Sequence, residues 1–112
     1  MAAQEKQIID AYNLRYIDSS KSLTIQKKIQ LETNDNNIKC ISNCFLSLTY
    51  LRQKKLPLAK EAIEQAKKDL QEITNQNTLG YYHYALYRYK YFIDESGFED
   101  DILKSLTYFE ST

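Results

Sequence analysis

The chain has 112 residues, 43% of them hydrophobic, and its 15 basic and 15 acidic side chains cancel. This length supports one hydrophobic core but not two independent domains. A balanced charge creates no net field to attract nucleic acid or anionic lipid, so we expect one domain over residues 1–112 with no nucleic-acid and no membrane partner.

The predicted elements are all helical, because two glycines and one proline provide few of the turn residues that a sheet requires. Six helices are predicted, at residues 4–17, 20–33, 37–54, 57–74, 79–94 and 99–111. Asp18 can cap the second helix, Pro57 suits the first turn of the fourth, and Asn75 to Thr78 precede the fifth. Short connections predict three antiparallel helix hairpins, at residues 4–33, 37–74 and 79–111.

The start of the chain, Met1 to Lys6, lacks the basic start followed by an apolar block that marks a secretory signal. No stretch approaches the roughly 18 apolar residues of a membrane span. We therefore predict a cytoplasmic protein.

The third predicted helix is apolar around most of its circumference, which predicts that other helices cover it on several sides. Its apolar residues are Ile38, Cys40, Ile41, Cys44, Phe45, Leu46, Leu48, Tyr50 and Leu51. Cys40 and Cys44 lie four residues apart in this helix, where two small buried thiols are favoured over a strained disulfide.

The third and fourth helices carry large and small residues at intervals that let two helices interlock. These residues are Leu46, Ser47, Tyr50, Ala59, Ile63 and Ala66. Small residues let the helices approach, and large ones fill the space between them. Residues 40–70 resemble a tetratricopeptide (TPR) repeat, of the divergent type found in bacterial signalling proteins. Asn43 and Lys54 depart from the pattern, since the family usually has a large residue and a glycine there.

The resemblance implies an all-α, right-handed stack of about three helix hairpins, which is a TPR-like α-solenoid. An internal echo supports repetition: Asp18-x-x-Lys21-Ser22-Leu23-Thr24 recurs as Asp101-x-x-Lys104-Ser105-Leu106-Thr107. Its separation corresponds to two units of about 41 residues, longer than the ideal TPR.

In TPR proteins, the first helices of the repeats line a concave groove that holds a peptide or a segment of another protein. Carried onto the best-matched hairpin, the resemblance implies groove positions at Ile41, Cys44, Leu48, Leu51 and Arg52. This apolar strip with one cation favours an amphipathic helix or an extended apolar segment over an acidic tail. The alternative is that flanking helices or a further repeat outside this chain cover these side chains.

The fifth helix contains the densest aromatic cluster, and its periodicity predicts two faces. A core-like stripe is formed by Tyr82, Ala85, Leu86, Tyr89, Phe92 and Ile93. A second face, predicted to bind a partner, is formed by Tyr81, Tyr84, Tyr87, Arg88 and Tyr91. The alternatives are tyrosine packing between neighbouring hairpins and base stacking, which the neutral charge disfavours.

Catalysis and metal binding have little support in the sequence. His83 is the only histidine, and the spacing implies no nucleophile beside it. Cys40, Cys44 and His83 offer three metal ligands without a fourth. We therefore predict no enzyme activity, no metal, no cofactor and no small-molecule substrate.

The resemblance implies a protein-interaction or regulatory module, the sensing or dimerising part of a bacterial signalling protein. Its partner would be a protein or a peptide segment. A peptide-sensing receptor domain and a structural spacer that self-associates as a homodimer remain as alternatives. The amphipathic pattern runs to Thr112 without a polar capping helix, so we expect a fragment of a longer protein.

Overall fold

A computed structural model describes residues 2–73 and 75–111, without the side chains of residues 2, 3 and 72. This part of the chain is all-helical, as predicted. Its helices are α1 (Ala2–Asn13), α2 (Ser19–Glu32), α3 (Asn36–Arg52), α4 (Leu56–Asp69), α5 (Gln76–Phe92) and α6 (Phe98–Glu110).

Two helices continue into short 3₁₀ segments, α1 into Leu14–Tyr16 and α4 into Leu70–Glu72. The predicted domain ends at Met1 and Thr112, and the predicted end of the fourth helix at Thr74, lie outside the described residues.

Polar side chains set the helix starts. Asp18, Asp35 and Asn75 each accept a hydrogen bond from a backbone N–H in the first turn of the following helix, at 2.8 to 3.3 Å. Pro57 lies in the first turn of α4. These side chains matter because the first N–H groups of a helix have no partner within it. The predictions for Asp18 and Pro57 are confirmed. The prediction that residues 75–78 precede the fifth helix is wrong for 76–78, because the Asn75 side chain caps a helix that begins at Gln76.

Helices that are adjacent in sequence contact each other as α1 with α2, α3 with α4, and α5 with α6. In each pair, one serine hydroxyl donates to a backbone carbonyl of the other helix. The bonds run from Ser22 to Ala11 at 2.6 Å, from Ser47 to Ala59 at 2.8 Å and from Ser105 to Gly80 at 2.8 Å. Such a bond requires the two backbones to lie close, which the small serine side chain permits.

Two of these serines, Ser22 and Ser105, occupy the same position of the internal echo. The following threonines also match, because Thr24 and Thr107 each donate to the carbonyl four residues earlier. The echo therefore corresponds to the same local structure in α2 and α6 over these residues.

Helix α3 lies at the centre of the fold and contacts α1, α2, α4 and α5. Residues 40–51 are all buried, which confirms the prediction that the third helix is covered on several sides. Cys40 and Cys44 are free thiols in the core, and burial raises the pKa of Cys44 well above its usual value.

The turns after α3 and α5 share an uncommon backbone conformation. Lys54 has φ of +60° and Asp94 has φ of +59°. In each turn, the next residue donates its backbone N–H to the carbonyl five residues earlier, at 2.9 Å after Lys54 and 2.8 Å after Asp94. Lys54 stands where the TPR pattern usually has glycine, the residue that adopts positive φ at least cost.

Replacing Lys54 with glycine is expected to raise the free energy of unfolding by about 0.5–1 kcal/mol, because the strain of a side chain at positive φ is removed. Urea unfolding followed by circular dichroism measures the change. Lys54→Ala is the matched control, since it removes the same charge and keeps the strain. Equal stability of the glycine and alanine variants would contradict this assignment.

Candidate partner-binding groove

Helix α3 lies between α1 and α5, and a cleft of about 240 Å³ opens over its C-terminal end. We term it the cationic cleft. Its residues come from α1 and the following 3₁₀ segment, from α3 and its turn, and from α5. They are Tyr12, Arg15, Tyr16, Leu48, Leu51, Arg52, Lys54, Tyr84, Arg88 and Phe92.

The cleft carries four positive charges and no acidic side chain. The cations are Arg15, Arg52, Lys54 and Arg88. Within residues 2–73 and 75–111, the carboxylates found in ion pairs are those of Asp10 and Asp101, and neither pairs with a cation of the cleft. The charges of the cleft are therefore not neutralised by carboxylates of the described chain.

Aromatic rings orient two of the arginines. The guanidinium carbon of Arg15 lies 3.5 Å from the ring centroid of Tyr12 and 4.0 Å from that of Tyr16. Arg15 also donates to the Tyr12 carbonyl at 2.9 Å and to the Tyr16 hydroxyl. The guanidinium of Arg52 lies 4.7 Å from the Tyr16 ring. Cation–π contacts of this kind position a charge without neutralising it.

Tyr12 forms part of the floor of the cleft. Its ring stacks on Phe45 of the core, with the centroids 4.3 Å apart. Burial raises the pKa of Tyr12 to about 12, although the positive charges of Arg15 and Arg88 act in the opposite direction. Tyr12 is thus half-buried and within electrostatic reach of both arginines.

The raised pKa of Tyr12 predicts a loss of stability at alkaline pH. Between about pH 10 and pH 12 the folded state keeps a proton that the unfolded state releases, so the free energy of unfolding falls as pH rises. Urea unfolding across this range is expected to show a smaller fall for Tyr12→Phe, which has no phenol to ionise. Equal falls in unfolding free energy for the unmodified chain and Tyr12→Phe would contradict a raised pKa of Tyr12.

A second, apolar pocket of about 300 Å³ adjoins the cationic cleft. It is lined by Ile9, Tyr12, Asn13, Phe45, Leu48, Tyr81, Tyr84 and Phe109. The two cavities share Tyr12, Leu48 and Tyr84, and we term the combined surface the groove. Phe109 brings α6 into its wall and packs edge-on against Tyr81, with the centroids 5.2 Å apart.

Of the groove residues predicted on the third helix, Leu48, Leu51 and Arg52 line the cationic cleft. Ile41 and Cys44 are buried in the core instead. Leu48 and Leu51 are also buried, so among the five predicted residues only Arg52 is exposed. For the four apolar residues the structure matches the alternative that flanking helices cover them, because α3 contacts α1, α2, α4 and α5.

The predicted partner-binding face of the fifth helix divides into separate parts. Tyr84 and Arg88 line the cationic cleft, and Tyr81 lines the apolar pocket. Tyr87 and Tyr91 lie outside the groove lining and pack against Phe98, with centroids 6.0 and 5.3 Å apart. The groove therefore combines some of the residues predicted on the third helix with some of those predicted on the fifth helix. Tyr87 and Tyr91 do not line it.

Two residues of the predicted core stripe, Phe92 and Ile93, are exposed. Tyr89 is the last residue of the stripe that packs against the core. The apolar pattern of the fifth helix therefore extends beyond the part of the helix that the core covers. Phe92 lines the cationic cleft instead.

Sequence reasoning missed several groove residues, namely Tyr12, Arg15, Tyr16 and Phe109. The reason is that the groove was carried over from the TPR pattern only for the middle hairpin. One signal was available: arginine occurs near the C-terminal end of the first, third and fifth predicted helices.

His83, for which no catalytic role was predicted, contacts the buried carboxylate of Asp101 in a partly buried polar cluster. Its Nδ1 is 3.1 Å from Asp101 Oδ1, and Lys90 Nζ is 2.7 Å from Asp101 Oδ2. Its ring also stacks on Tyr108. Within the described parts of the chain, no three His, Cys, Asp or Glu side chains are placed to hold a metal ion. The cluster joins α5 to α6.

Comparison of the chain with known families, curated proteins and solved structures found no match. No described helix combines the length and the apolar character needed to cross a membrane. Functional inference therefore depends on the geometry of the groove.

Proposed function

We propose that this chain is a protein-interaction module whose groove binds a segment of a partner protein. The observation that carries the proposal is the groove itself, where exposed rings and unneutralised cations from α1, α3 and α5 face one concave surface. Phe92, an apolar residue of this surface, is 44% exposed. Aromatic side chains and arginine are the residue types enriched where proteins bind each other.

The helix contacts support a TPR-like stack of helix pairs, and its right-handed course is what the TPR resemblance implies. Helix α3 contacts both helices of the preceding pair, and α5 contacts both α3 and α4. This is expected when each repeat packs on the one before it. Two local features also repeat along the chain. The separation between the capping residues Asp35 and Asn75 is the same as that between the positive-φ residues Lys54 and Asp94. On the TPR resemblance, we assign the module to the sensing or dimerising part of a cytoplasmic bacterial signalling protein.

The proposal is tested by capturing partners from a lysate of the source cell, then purifying a captured protein and measuring its affinity by calorimetry. Tyr84→Ala/Arg88→Ala is expected to weaken binding by about tenfold or more, as for central interface residues. Tyr91→Ala/Lys104→Ala is the matched control, since it removes one tyrosine and one exposed cation away from the groove lining. Both variants are first checked for native circular dichroism.

Loss of binding in the control variant, with the groove variant unaffected, would place the interface at Tyr91. Equal binding by the groove variant and the unmodified chain would contradict the proposal.

Self-association is a second candidate, favoured by exposed apolar side chains on α6. Leu103 is 61% exposed and Leu106 is 53% exposed. They lie three residues apart and therefore share one helix face. If copies meet there, sedimentation velocity will show a mass that rises with concentration, and Leu103→Glu will abolish the rise. A monomer at all concentrations would exclude this candidate.

A further inference from the structure

We infer that the groove selects an acidic peptide segment with an apolar anchor. In this arrangement, Asp or Glu side chains of the partner lie in the cationic cleft and a neighbouring apolar side chain fills the apolar pocket. The inference depends on the proposed function and adds the chemistry of the partner to it.

The charge of the cleft is the first argument. The sequence placed one cation, Arg52, among the predicted groove residues of the third helix and therefore favoured an apolar partner. The fold brings Arg15, Lys54 and Arg88 to the same cleft. Cations gathered at short range repel one another, and an anionic ligand relieves that repulsion.

The position of the guanidinium groups is the second argument. Arg15 and Arg52 both contact the ring of Tyr16, at 4.0 and 4.7 Å from its centroid. Their charges are thus held at one site before a ligand arrives, which lowers the entropy cost of binding. Guanidinium groups bind carboxylates through paired hydrogen bonds, so this site suits Asp or Glu side chains.

The apolar pocket is the third argument. Its lining residues include no charged side chain, and apolar and aromatic groups from α1, α3, α5 and α6 form most of its wall. Tyr12, Leu48 and Tyr84 belong to both cavities, so one short segment can reach both. A partner with carboxylates only would leave this pocket exposed to water, and filling it gains apolar burial.

The uncharged pocket also favours peptide over single-stranded nucleic acid. A phosphodiester backbone carries charge along its whole length and binds best where cations follow it. Here the cations occupy one end of the groove, and the chain has no net charge. Peptide segments commonly combine a local charge with an adjacent apolar residue.

The test is a selection from a displayed library of random peptides on the unmodified chain, with Arg52→Glu/Arg88→Glu for counter-selection. We expect enriched peptides to combine two or more Asp or Glu with a nearby large apolar residue. In calorimetry, such a peptide is expected to bind the reversed-charge variant about tenfold or more weakly and to lose affinity as salt concentration rises. Lys60→Glu/Lys67→Glu, on the exposed face of α4, is the matched control and is expected to bind normally.

The anchor is tested on the peptide, so that folding of the protein is unaffected. Replacing its apolar residue with serine is expected to weaken binding by about tenfold. An unchanged affinity would overturn the role assigned to the apolar pocket.

The outcomes separate this inference from the proposed function. Peptides enriched on the unmodified chain before counter-selection that are uncharged or basic, and whose binding is lost in Tyr84→Ala, would leave the proposed function standing and overturn the acidic partner. No enrichment on the unmodified chain before counter-selection would overturn both. Tighter binding of a thymidine oligonucleotide than of any selected peptide would overturn the inference in favour of nucleic acid.

Discussion

Replacing Asp101 with alanine is expected to lower the free energy of unfolding by about 3 kcal/mol. The Asp101 side chain is 5% exposed and joins α6 to two residues of α5, Lys90 at 2.7 Å and His83 at 3.1 Å. Alanine leaves the partly buried Lys90 ammonium without its carboxylate. The loss of a desolvated charge pair therefore adds to the loss of the hydrogen bonds.

Urea unfolding followed by circular dichroism measures this effect. Asp100→Ala is the matched control, because the neighbouring carboxylate is exposed and its removal is expected to change stability by no more than about 0.5 kcal/mol. Asp101→Asn keeps the shape of the side chain, so its loss of unfolding free energy is expected to lie between those of Asp100→Ala and Asp101→Ala. Similar losses for Asp100→Ala and Asp101→Ala would show that the partly buried cluster does not stabilise the α5 and α6 pair.

Replacing Gly80 with alanine is expected to destabilise the protein by about 1–2 kcal/mol through overpacking. A Cβ atom at this position would lie 2.8 Å from the ring of Phe109, closer than side chains tolerate. The hydrogen bond from Ser105 to the Gly80 carbonyl, at 2.8 Å, holds the two helices at this separation. Helix propensity alone predicts the opposite sign, a gain of about 1 kcal/mol, so the sign of the change decides between them.

A double-mutant cycle with Phe109→Leu tests whether the clash with the Phe109 ring causes the destabilisation. The cost of alanine is expected to be smaller when leucine replaces the ring, so the double variant should be more stable than the sum of the two single changes implies. A stabilising Gly80→Ala, or strictly additive effects, would contradict the proposed clash. Because Phe109 also lines the apolar pocket, Gly80→Ala is expected to alter the groove as well.

Local signals predicted most helix starts closely but not all helix ends, because α1 ends at Asn13 and α4 at Asp69, several residues before the predicted ends at 17 and 74. Asp18 and Pro57 act within one turn of their own position, so their effect depends little on the rest of the fold. The burial of the third helix was also predictable, since a helix with apolar residues on all sides has to be covered.

The site was predictable only in part. Leu48, Arg52, Tyr84 and Arg88 were identified on separate helices, and nothing in the sequence placed them around one cleft. Arg15 was missed because its relevance depends on where α1 lies against α3. Asp101 was noted as part of the internal echo, and nothing in the sequence placed its carboxylate between His83 and Lys90 of another helix.

The sequence by itself determined the all-helical class, most of the helix starts and the identity of the central helix. These properties follow from interactions within a few residues and from the periodicity of apolar side chains. Only the tertiary structure decided which cations line the same cleft, which of the predicted tyrosines do not line the groove, and which acidic side chain is buried. These outcomes depend on the packing of helices distant in sequence, where small changes in position determine which charges and rings meet.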